Sequence, residues 1–310
     1  MDSDYIAIAG GGTKGLMFVG MLCAIEDHIK AVTGGSYSAF TGAKKGFAGT
    51  SAGSLAALIM ILDISPRHIR ETMAYRLANL RSLAPRLDIT MLLQSYGLDD
   101  GAEVRHMIES ILELGGVSST VTFSDLARLL KKEFVCVSTD VHTKRSVYFS
   151  VQNTPNLKIV DAVYMSCCLP FIWTPMCHLH HLCVDGSMTD NMPDCFPVEE
   201  TFFIDFDDPQ RTKSITNFTE YIQSIFLMAG QSSSWCRSHK HMLLRMPTHM
   251  SVSPIDFDIN AVHTAALLNC GYSSMMQYIF KEMAPTIEGI IELMCTLVLD
   301  SRQRCVCEGL

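Results

Sequence analysis

The sequence of 310 residues lacks an uninterrupted apolar run of about 18 residues, the length that a membrane-spanning helix requires. Its longest apolar stretches, around 55–62 and 289–299, have the length of helices in a protein core. It also lacks a secretory signal at its start, where Met1-Asp-Ser-Asp4 leads directly into the apolar stretch Tyr5–Ala9. These absences predict a cytoplasmic protein without a transmembrane helix, with peripheral contact to membranes left open.

The sequence has no excess of basic residues. It contains 24 Lys and Arg against 32 Asp and Glu, which gives a formal net charge of −8. A general nucleic-acid-binding protein needs a basic stripe to neutralise phosphates, so this balance argues against nucleic acid as a partner. It does not exclude a membrane surface that is approached through apolar side chains.

No internal repeat, low-complexity tract or long charged run interrupts the chain. The content of 48% apolar and 18% charged residues is that of a compact globular protein with a large core. The 12 cysteines stand at irregular spacings and no signal peptide precedes them. We therefore interpret them as mostly reduced, small apolar residues of an intracellular protein.

Strands alternate with helices over the first two thirds of the chain. This order predicts a mainly parallel central sheet covered on both faces, a three-layer α/β/α fold. The predicted strands are 5–9, 46–48, 134–138, 146–150, 181–184 and 201–206. The predicted helices are 16–30, 54–62, one that opens at Ser65-Pro66, 102–113, 122–130 and 160–168, while 34–42 is predicted as a Gly/Ser-rich connection.

The character of the sequence changes after residue 208. Helical patterns dominate near 216–235 and 259–283, with a short strand at 242–246. We predict a core domain over residues 1–208 and a mainly helical C-terminal region over 209–310 that packs on it.

The segment Gly49-Thr-Ser51-Ala-Gly53 has the form of a nucleophile elbow, a sharp turn between strand and helix that exposes a serine hydroxyl. The residues before it can end a buried strand, and Ser54–Leu62 is an apolar run of good helix formers. The two glycines leave room where the strand and helix backbones nearly touch. The same short pattern also occurs in buried turns, so it indicates a nucleophilic Ser51 only in combination with other features.

A glycine-rich segment, Gly10-Gly11-Gly12-Thr13-Lys14-Gly15, follows the first strand and opens the first helix. Its spacing formally satisfies the dinucleotide fingerprint, but Glu26 and Asp27 fall inside the first helix, too early to bind a ribose. It also lacks the terminal Gly-Lys-Ser/Thr of a P-loop. Adjacent backbone N–H groups at a helix N-terminus suit other anions, including the oxyanion of an acyl-transfer intermediate. Together with Ser51 they favour an oxyanion hole over a plain tight turn, and no cofactor is predicted.

A nucleophilic serine needs a base, and the sequence offers two kinds. Three late histidines fit the common Ser–Asp–His order: His239, His241 and His263. That fold, however, builds several strands before its elbow, whereas Ser51 follows a single strand–helix unit. The alternative is Asp185 in Cys183-Val-Asp-Gly-Ser187, at the end of a short strand, from which a carboxylate could take the serine proton directly. An isolated Asp-Gly pair is most often a turn.

The glycine loop, the elbow and the downstream Asp185-Gly186, in this order, resemble the patatin-like phospholipase family. Two further stretches are similar to segments of that family: Met165-Ser-Cys-Cys-Leu-Pro-Phe171, and Asp185-Gly-Ser followed by Asn191-Met-Pro193. The resemblance covers about residues 5–206, so the core domain is identified as the catalytic domain of such a protein. Beyond residue 208 nothing diagnostic is recognised.

The resemblance implies a lipid acyl hydrolase that uses a Ser–Asp dyad and needs no metal. Ser51 would be the nucleophile, Asp185 its base, and the N–H groups of the Gly10–Gly12 loop the oxyanion hole. Thr13, Lys14, Gly15, Gly49, Gly53 and Gly186 would support these groups. The implied reaction passes through an acyl-enzyme, and the implied substrates are phospholipids or other lipid acyl esters, met at a peripheral membrane surface.

The sequence departs from the family pattern at two places. Ser187 stands where glycine or alanine is usual, and Cys167-Cys168 replaces small residues before Pro170. Neither departure removes a catalytic group. Lys14 sits where a cation opposes the helix dipole, and we expect it to order the loop or to meet a lipid phosphate.

Two alternatives remain open at this stage. Cys177-His-Leu-His-His-Leu-Cys183 holds five possible zinc ligands, but no second ligand pair stands at a finger-like spacing, so we predict the edge of a strand hairpin. The whole chain could also be a non-catalytic lipid- or partner-binding protein on the same scaffold. Such a protein would be expected to have lost a dyad residue, and this one has kept both.

Overall fold

The computed structural model describes residues 3–72, 88–207, 221, 224, 241–245 and 260–283. Within them the chain forms a mixed α/β fold around a mainly parallel sheet, which confirms the predicted fold class. The predicted helix at 216–235 lies almost entirely outside the described residues. The boundary at residue 208 therefore stays a prediction.

Within the described residues, the central sheet has eight strands. The strands of the fold are β1 (Tyr5–Ile8), β2 (Gly46–Thr50), β3 (Gly97–Asp99), β4 (Glu133–Asp140), β5 (Arg145–Phe149), β6 (Phe171–Trp173), β7 (Met176–His178), β8 (His181–Asp185), β9 (Thr201–Asp207) and β10 (His241–Arg245). Seven of them follow the order β10-β9-β1-β2-β4-β8-β7, and β5 also pairs with β4. The run from β10 to β4 is parallel, whereas β5, β7 and β8 pair antiparallel with their neighbours. A separate pair, β3 and β6, completes the described strands.

The described helices lie between these strands along the chain, with one after β10. They are α1 (Leu16–Thr33), α2 (Tyr37–Gly42), α3 (Ala52–Ile61), α4 (Pro66–Thr72), α5 (Ile89–Ser95), α6 (Ala102–Leu114), α7 (Phe123–Leu130), α8 (Ile159–Cys167) and α9 (Ala261–Met283). Among the described residues, no helix combines the length and apolarity needed to cross a membrane.

Local signals explain where several helices begin and end. α1 stops at Gly34, which has left-handed backbone angles, and α7 begins with a capping box between Thr122 and Asp125. The prediction of a simple connection over 34–42 is wrong. The Ser36 hydroxyl accepts a hydrogen bond from the Ala39 amide at 3.2 Å and thereby starts α2.

The two faces of the sheet are covered differently. Alternate strand residues such as Ile6, Ile8 and Phe47 face a large apolar cluster shared with α1 and α3. The opposite face carries small residues such as Ala7 and Ala48, which pack against the segment that follows β8.

Helix α9 packs closely against α1. A methyl group added to Gly271 would lie 1.9 Å from the Met17 carbonyl oxygen, and one added to Gly20 would lie 1.9 Å from the Leu268 carbonyl oxygen. These glycines allow the two backbones to touch, so the described helix after residue 208 is joined to the core.

We expect Gly271→Ala to lower the free energy of unfolding by about 1–3 kcal/mol, because the added methyl group forces the helix backbones apart. Gly42→Ala is the matched control, since a methyl group there meets no atom within 4 Å. Urea unfolding of both variants checks the prediction. Equal stabilities would contradict the close packing of α9 on α1.

Candidate active site

Ser51 stands at a sharp turn between β2 and α3. Its backbone has φ 52° and ψ −126°, in a region that residues other than glycine rarely adopt. A methyl group on Gly49 would lie 2.3 Å from the Gly53 carbonyl, so the strand and helix can meet only with glycine at this position. The geometry is that of the predicted elbow, and the Ser51 side chain lies at the C-terminal end of the parallel strand β2.

Asp185 reaches Ser51 through the register of the sheet. Thr50 pairs with Val137 on β4, and the next β4 residue, Ser138, pairs with Asp185 on β8. β5 pairs with one edge of β4. β8 pairs with the other edge, beyond the point where β2 ends, and runs antiparallel to β4. The Ser51 Oγ consequently donates a hydrogen bond of 2.6 Å to Asp185 Oδ2.

The Asp185 carboxylate is fully buried and firmly held. Its backbone N–H donates to the Cys168 carbonyl at 2.7 Å, and its Oδ1 accepts from the Ser187 amide at 2.9 Å. Burial raises the pKa of Asp185 above the usual aspartate value, while the hydrogen bonds from Ser51 and Ser187 act in the opposite direction. A carboxylate whose pKa is raised by burial is a better proton acceptor than one in water.

The glycine loop lies against the elbow. A methyl group on Gly10 would come within 3.2 Å of Ser51 Cβ, so the absence of a side chain leaves the space beside Ser51 open. The Gly10 N–H donates to the Asn191 carbonyl at 3.1 Å. The Gly11 and Gly12 N–H groups meet no acceptor within the described part of the chain. Two amides of this loop are thus available to an anion, and the amide of Gly10 is not.

The other loop residues support this arrangement. Lys14 is only 4% exposed and Thr13 is also buried, so the lysine lies inside the protein, which favours the expectation that it orders the loop. A methyl group on Gly15 would lie 2.7 Å from Ala52 Cβ. At the second strand end, a methyl group on Gly186 would lie 2.2 Å from the Val137 carbonyl oxygen. Gly15 therefore permits close approach of the glycine loop to the elbow, and Gly186 permits close approach of its own loop to β4.

Two residues to which the sequence assigned no role also hold the site. Ser166 on α8 accepts a hydrogen bond from the Ser51 amide at 3.0 Å and donates to the Val137 carbonyl at 2.6 Å. Asn191 accepts from Gly10 and donates through its side chain to the Gly10 carbonyl at 3.4 Å. Both stand in the stretches that resemble the family segments, which was the available signal.

The late histidines do not join Ser51 in the described structure. His263 is exposed on α9, His239 lies outside the described residues, and only the backbone of His241 is described. No histidine of the described residues hydrogen-bonds Ser51 or Asp185. The partner of Ser51 is the carboxylate.

The cysteines before Pro170 are buried beside the site. Cys167 Sγ lies 3.8 Å from Ser54 Oγ, and Cys168 supplies the carbonyl that binds the Asp185 amide. Burial raises the pKa of the Cys168 thiol to about 12 and that of Cys167 still further. Neutral thiols are weak nucleophiles, so these residues act here through packing and backbone contacts.

The histidine- and cysteine-rich segment forms the β7–β8 hairpin, as predicted. Within the described residues, no three His, Cys, Asp or Glu side chains converge as metal ligands would. One ring of the segment is tied to a carboxylate, since His181 Nδ1 lies 2.8 Å from Asp140 Oδ2.

Comparison with known proteins connects this geometry to a family. Uncharacterized protein R571 of Acanthamoeba polyphaga mimivirus is 26% identical over 296 residues, which cover 89% of this chain and 93% of that relative. Probable lipid hydrolase 463L of Invertebrate iridescent virus 6 is 19% identical over 61% of each chain. The crystal structure of VipD from Legionella pneumophila shares the fold with a TM-score of 0.53 at 15% identity, over 91% of this chain and 67% of that chain. The family model for patatin-like phospholipase matches residues 6–194, more than half of the chain. This protein therefore belongs to the patatin-like phospholipase family.

Proposed function

We propose that this protein is a lipid acyl hydrolase of the phospholipase A type that cleaves acyl esters of phospholipids. Membership of the family supports the substrate class. The observation that carries the proposal is the 2.6 Å hydrogen bond from Ser51 Oγ to the buried carboxylate of Asp185. It pairs a hydroxyl on an elbow with a base that needs no histidine.

In the first half of the reaction, Ser51 Oγ attacks the acyl carbonyl carbon while Asp185 accepts the hydroxyl proton. The carbonyl oxygen becomes an oxyanion, which we assign to the N–H groups of Gly11 and Gly12 because neither has an acceptor within the described residues. Gly10 is left out of this assignment, since its N–H is bound to Asn191. Collapse of the intermediate expels the alcohol oxygen of the lipid, which takes the proton from Asp185.

In the second half, a water molecule attacks the acyl-enzyme ester on Ser51. Asp185 accepts a proton from the water, and the new oxyanion again meets the same two amides. The intermediate collapses to a free fatty acid, and the proton returns from Asp185 to Ser51 Oγ. The dyad is thereby restored without a metal or cofactor.

The proposal is tested by the release of fatty acid from a panel of diacyl phospholipids and from a triacylglycerol. We expect release from phospholipids, together with covalent labelling by a fluorophosphonate that peptide mass spectrometry locates at Ser51. Release from the triacylglycerol alone would change the substrate class. A purified protein that neither releases fatty acid nor reacts with the probe would refute the proposal.

An exposed apolar face lies next to the site, and we assign it to the lipid bilayer. Phe171 is 58% exposed, and its strand β6 begins three residues after Cys168, whose carbonyl binds Asp185. Phe171 pairs with Gly97 on β3, and the residue before Gly97, Tyr96, is also exposed. Helix α5, which ends just before Tyr96, has no buried residue. Apolar side chains beside a lipid-cleaving site are suited to enter a membrane interface.

We expect Phe171→Glu to reduce hydrolysis of phospholipid vesicles by about tenfold or more, since a large apolar side chain loses its burial in lipid. Hydrolysis of a soluble short-chain ester should change less than about twofold, because the dyad itself is untouched. The matched control is Leu129→Glu, on an equally exposed position of α7, just before β4 begins and so at the end of that strand away from the dyad. Equal losses on vesicles for both variants, or equal losses on both substrates, would contradict this assignment.

A further inference from the structure

A cavity of about 740 Å³ opens between β5 and the β7–β8 hairpin. Arg145, His178, His181, Asn153 and Thr154 contribute to its wall, together with Leu179. The residues of the proposed dyad do not line it. The cavity is therefore a separate feature from the site of Ser51.

The cavity lies at the same edge of the sheet as the dyad. Arg145 pairs with Asp140, two residues further along β4 than Ser138, which pairs with Asp185 on the other side of β4. With about 3.3 Å per residue and about 4.8 Å between strands, the backbones of Arg145 and Asp185 are roughly 12 Å apart. A bilayer that supplies an acyl ester to Ser51 would therefore lie within reach of this cavity.

Among the residues that line the cavity, Arg145 carries a permanent positive charge, although the protein as a whole is acidic. Residues 141–157 include β5 and the turn that leads into it, and residues 171–184 include most of the β7–β8 hairpin. Neither segment contains Asp or Glu, although the chain carries 32 of them. The exposed Arg145 side chain makes no hydrogen bond or ion pair within the part of the chain that the structure describes. Its planar guanidinium presents five N–H donors in the arrangement that fits a phosphate group.

Carboxylates that contact residues of the cavity wall are already held by hydrogen bonds: Asp190 accepts one from the hydroxyl of the cavity-lining Tyr148, and Asp140 has several donors. Asp140 is buried, and it accepts hydrogen bonds from the Thr143 hydroxyl, from His181 Nδ1 and from the His142 amide. Its contact with His181 occupies Nδ1 and leaves Nε2 of the same ring without a partner in the described structure. Asp140 thus orients a cavity-lining ring, and it makes no ion pair with Arg145 in the described structure.

We propose that this cavity binds the phosphate group of a lipid headgroup, with Arg145 as its principal donor. Leu179, 77% exposed at the hairpin tip, and the exposed Val141 beside it provide apolar contact with the surrounding lipid. The inference rests on the proposed function for the choice of a lipid as the carrier of the phosphate. The chemistry recognised is that of a phosphate, which inorganic phosphate shares.

The test measures binding rather than turnover, with every variant carrying Ser51→Ala so that lipid is not consumed. Binding is measured by co-sedimentation of the protein with two sets of phosphatidylcholine vesicles. One set contains phosphatidic acid, and the other contains cholesteryl hemisuccinate at equal surface charge. Arg145→Gln is compared with Lys144→Gln, which removes the same charge from the neighbouring exposed residue outside the cavity wall. Thermal melting of both variants confirms that the fold is kept.

We expect Arg145→Gln to weaken binding to phosphatidic acid vesicles by about 10- to 100-fold, as for the loss of hydrogen bonds to a charged group. Lys144→Gln should cost at most about fivefold, the effect of one surface charge. With hemisuccinate vesicles the two variants should show equal losses of binding affinity. Equal losses on phosphatidic acid would overturn the proposal.

A second arm separates the two sources of phosphate. Inorganic phosphate that displaces the protein from phosphatidic acid vesicles, with an effect that disappears in Arg145→Gln, supports the site and shows that free phosphate suffices. A lack of displacement together with the Arg145-specific loss supports a site that needs the lipid. Since hydrolysis is not measured, failure of the proposed function would appear in fatty-acid release by the wild type and not in these data.

Discussion

We expect the Ser51→Ala variant to release fatty acid about 10⁴- to 10⁶-fold more slowly than the wild type, because the hydroxyl that forms the acyl-enzyme is removed. The fold should persist. Alanine keeps the backbone amide that donates to Ser166, and the elbow is shaped by Gly49 and Gly53 rather than by the hydroxyl. The loss of one donor to the buried carboxylate should lower the free energy of unfolding by about 1–3 kcal/mol.

The measurement is fatty-acid release from phospholipid vesicles, accompanied by fluorophosphonate labelling. Ser65→Ala serves as the control, because that hydroxyl binds Glu26 at the start of α4, away from the dyad. The control should keep wild-type rates and labelling. Undiminished hydrolysis by Ser51→Ala would mean that another residue is the nucleophile and would end the dyad proposal.

The features that the sequence predicted well are local ones. The elbow and the glycine loop each depend on residues only a few positions apart, and each appears in the structure. The strand–helix alternation likewise predicted a mainly parallel sheet, because strands in that order need crossover helices.

The contacts that the sequence could not supply are distant ones. Ser166 reaches the Ser51 amide from 115 residues away, and Asn191 takes the Gly10 amide across 181 residues. No spacing rule predicts which amide of a glycine loop will be occupied by a neighbour. The same reason made Asp185 ambiguous between a turn and a base until the pairing of β8 with β4 placed it beside Ser51.

Short elements were also difficult to predict. α5, β3 and β6 are between three and seven residues long, too short to show a continuous apolar pattern. Most of their contacts are with one another. α2 was concealed by the glycine and serine content of 34–42, where Ser36 acts as a helix cap. In each case tertiary contacts determined the secondary structure of a segment whose local propensity was weak.

We expect Asp185→Asn to slow fatty-acid release by about 10²- to 10⁴-fold, the contribution of a positioned general base. The amide is nearly identical in shape and can still accept from the Ser187 amide, but it cannot take the Ser51 proton. In the wild type, kcat/KM should rise with pH through the pKa of Asp185, because only the carboxylate acts as a base. Burial raises that pKa, so the inflection should lie above the usual aspartate value.

The same substitution should stabilise the fold at neutral pH, in contrast to its effect on activity. A folded-state pKa raised by burial means that the Asp185 contribution to stability is present below the unfolded-state pKa and is lost as pH rises through the folded-state pKa. The melting temperature of Asp185→Asn should therefore exceed that of the wild type at neutral pH and converge with it in acid. Differential scanning calorimetry across this pH window checks the sign.

Asp140→Asn provides the opposite control. Burial alone would raise the pKa of Asp140, but hydrogen bonds from Thr143, His181 and two backbone amides lower it well below the usual range. Its contribution is present above the unfolded-state pKa and is lost as pH falls through the folded-state value, so this variant should melt below the wild type at neutral pH. Two buried aspartates would then respond with opposite signs because only Asp140 has a full set of donors. An Asp185→Asn variant that melts lower at neutral pH, or keeps full activity, would show that Asp185 is a structural anchor and not a base.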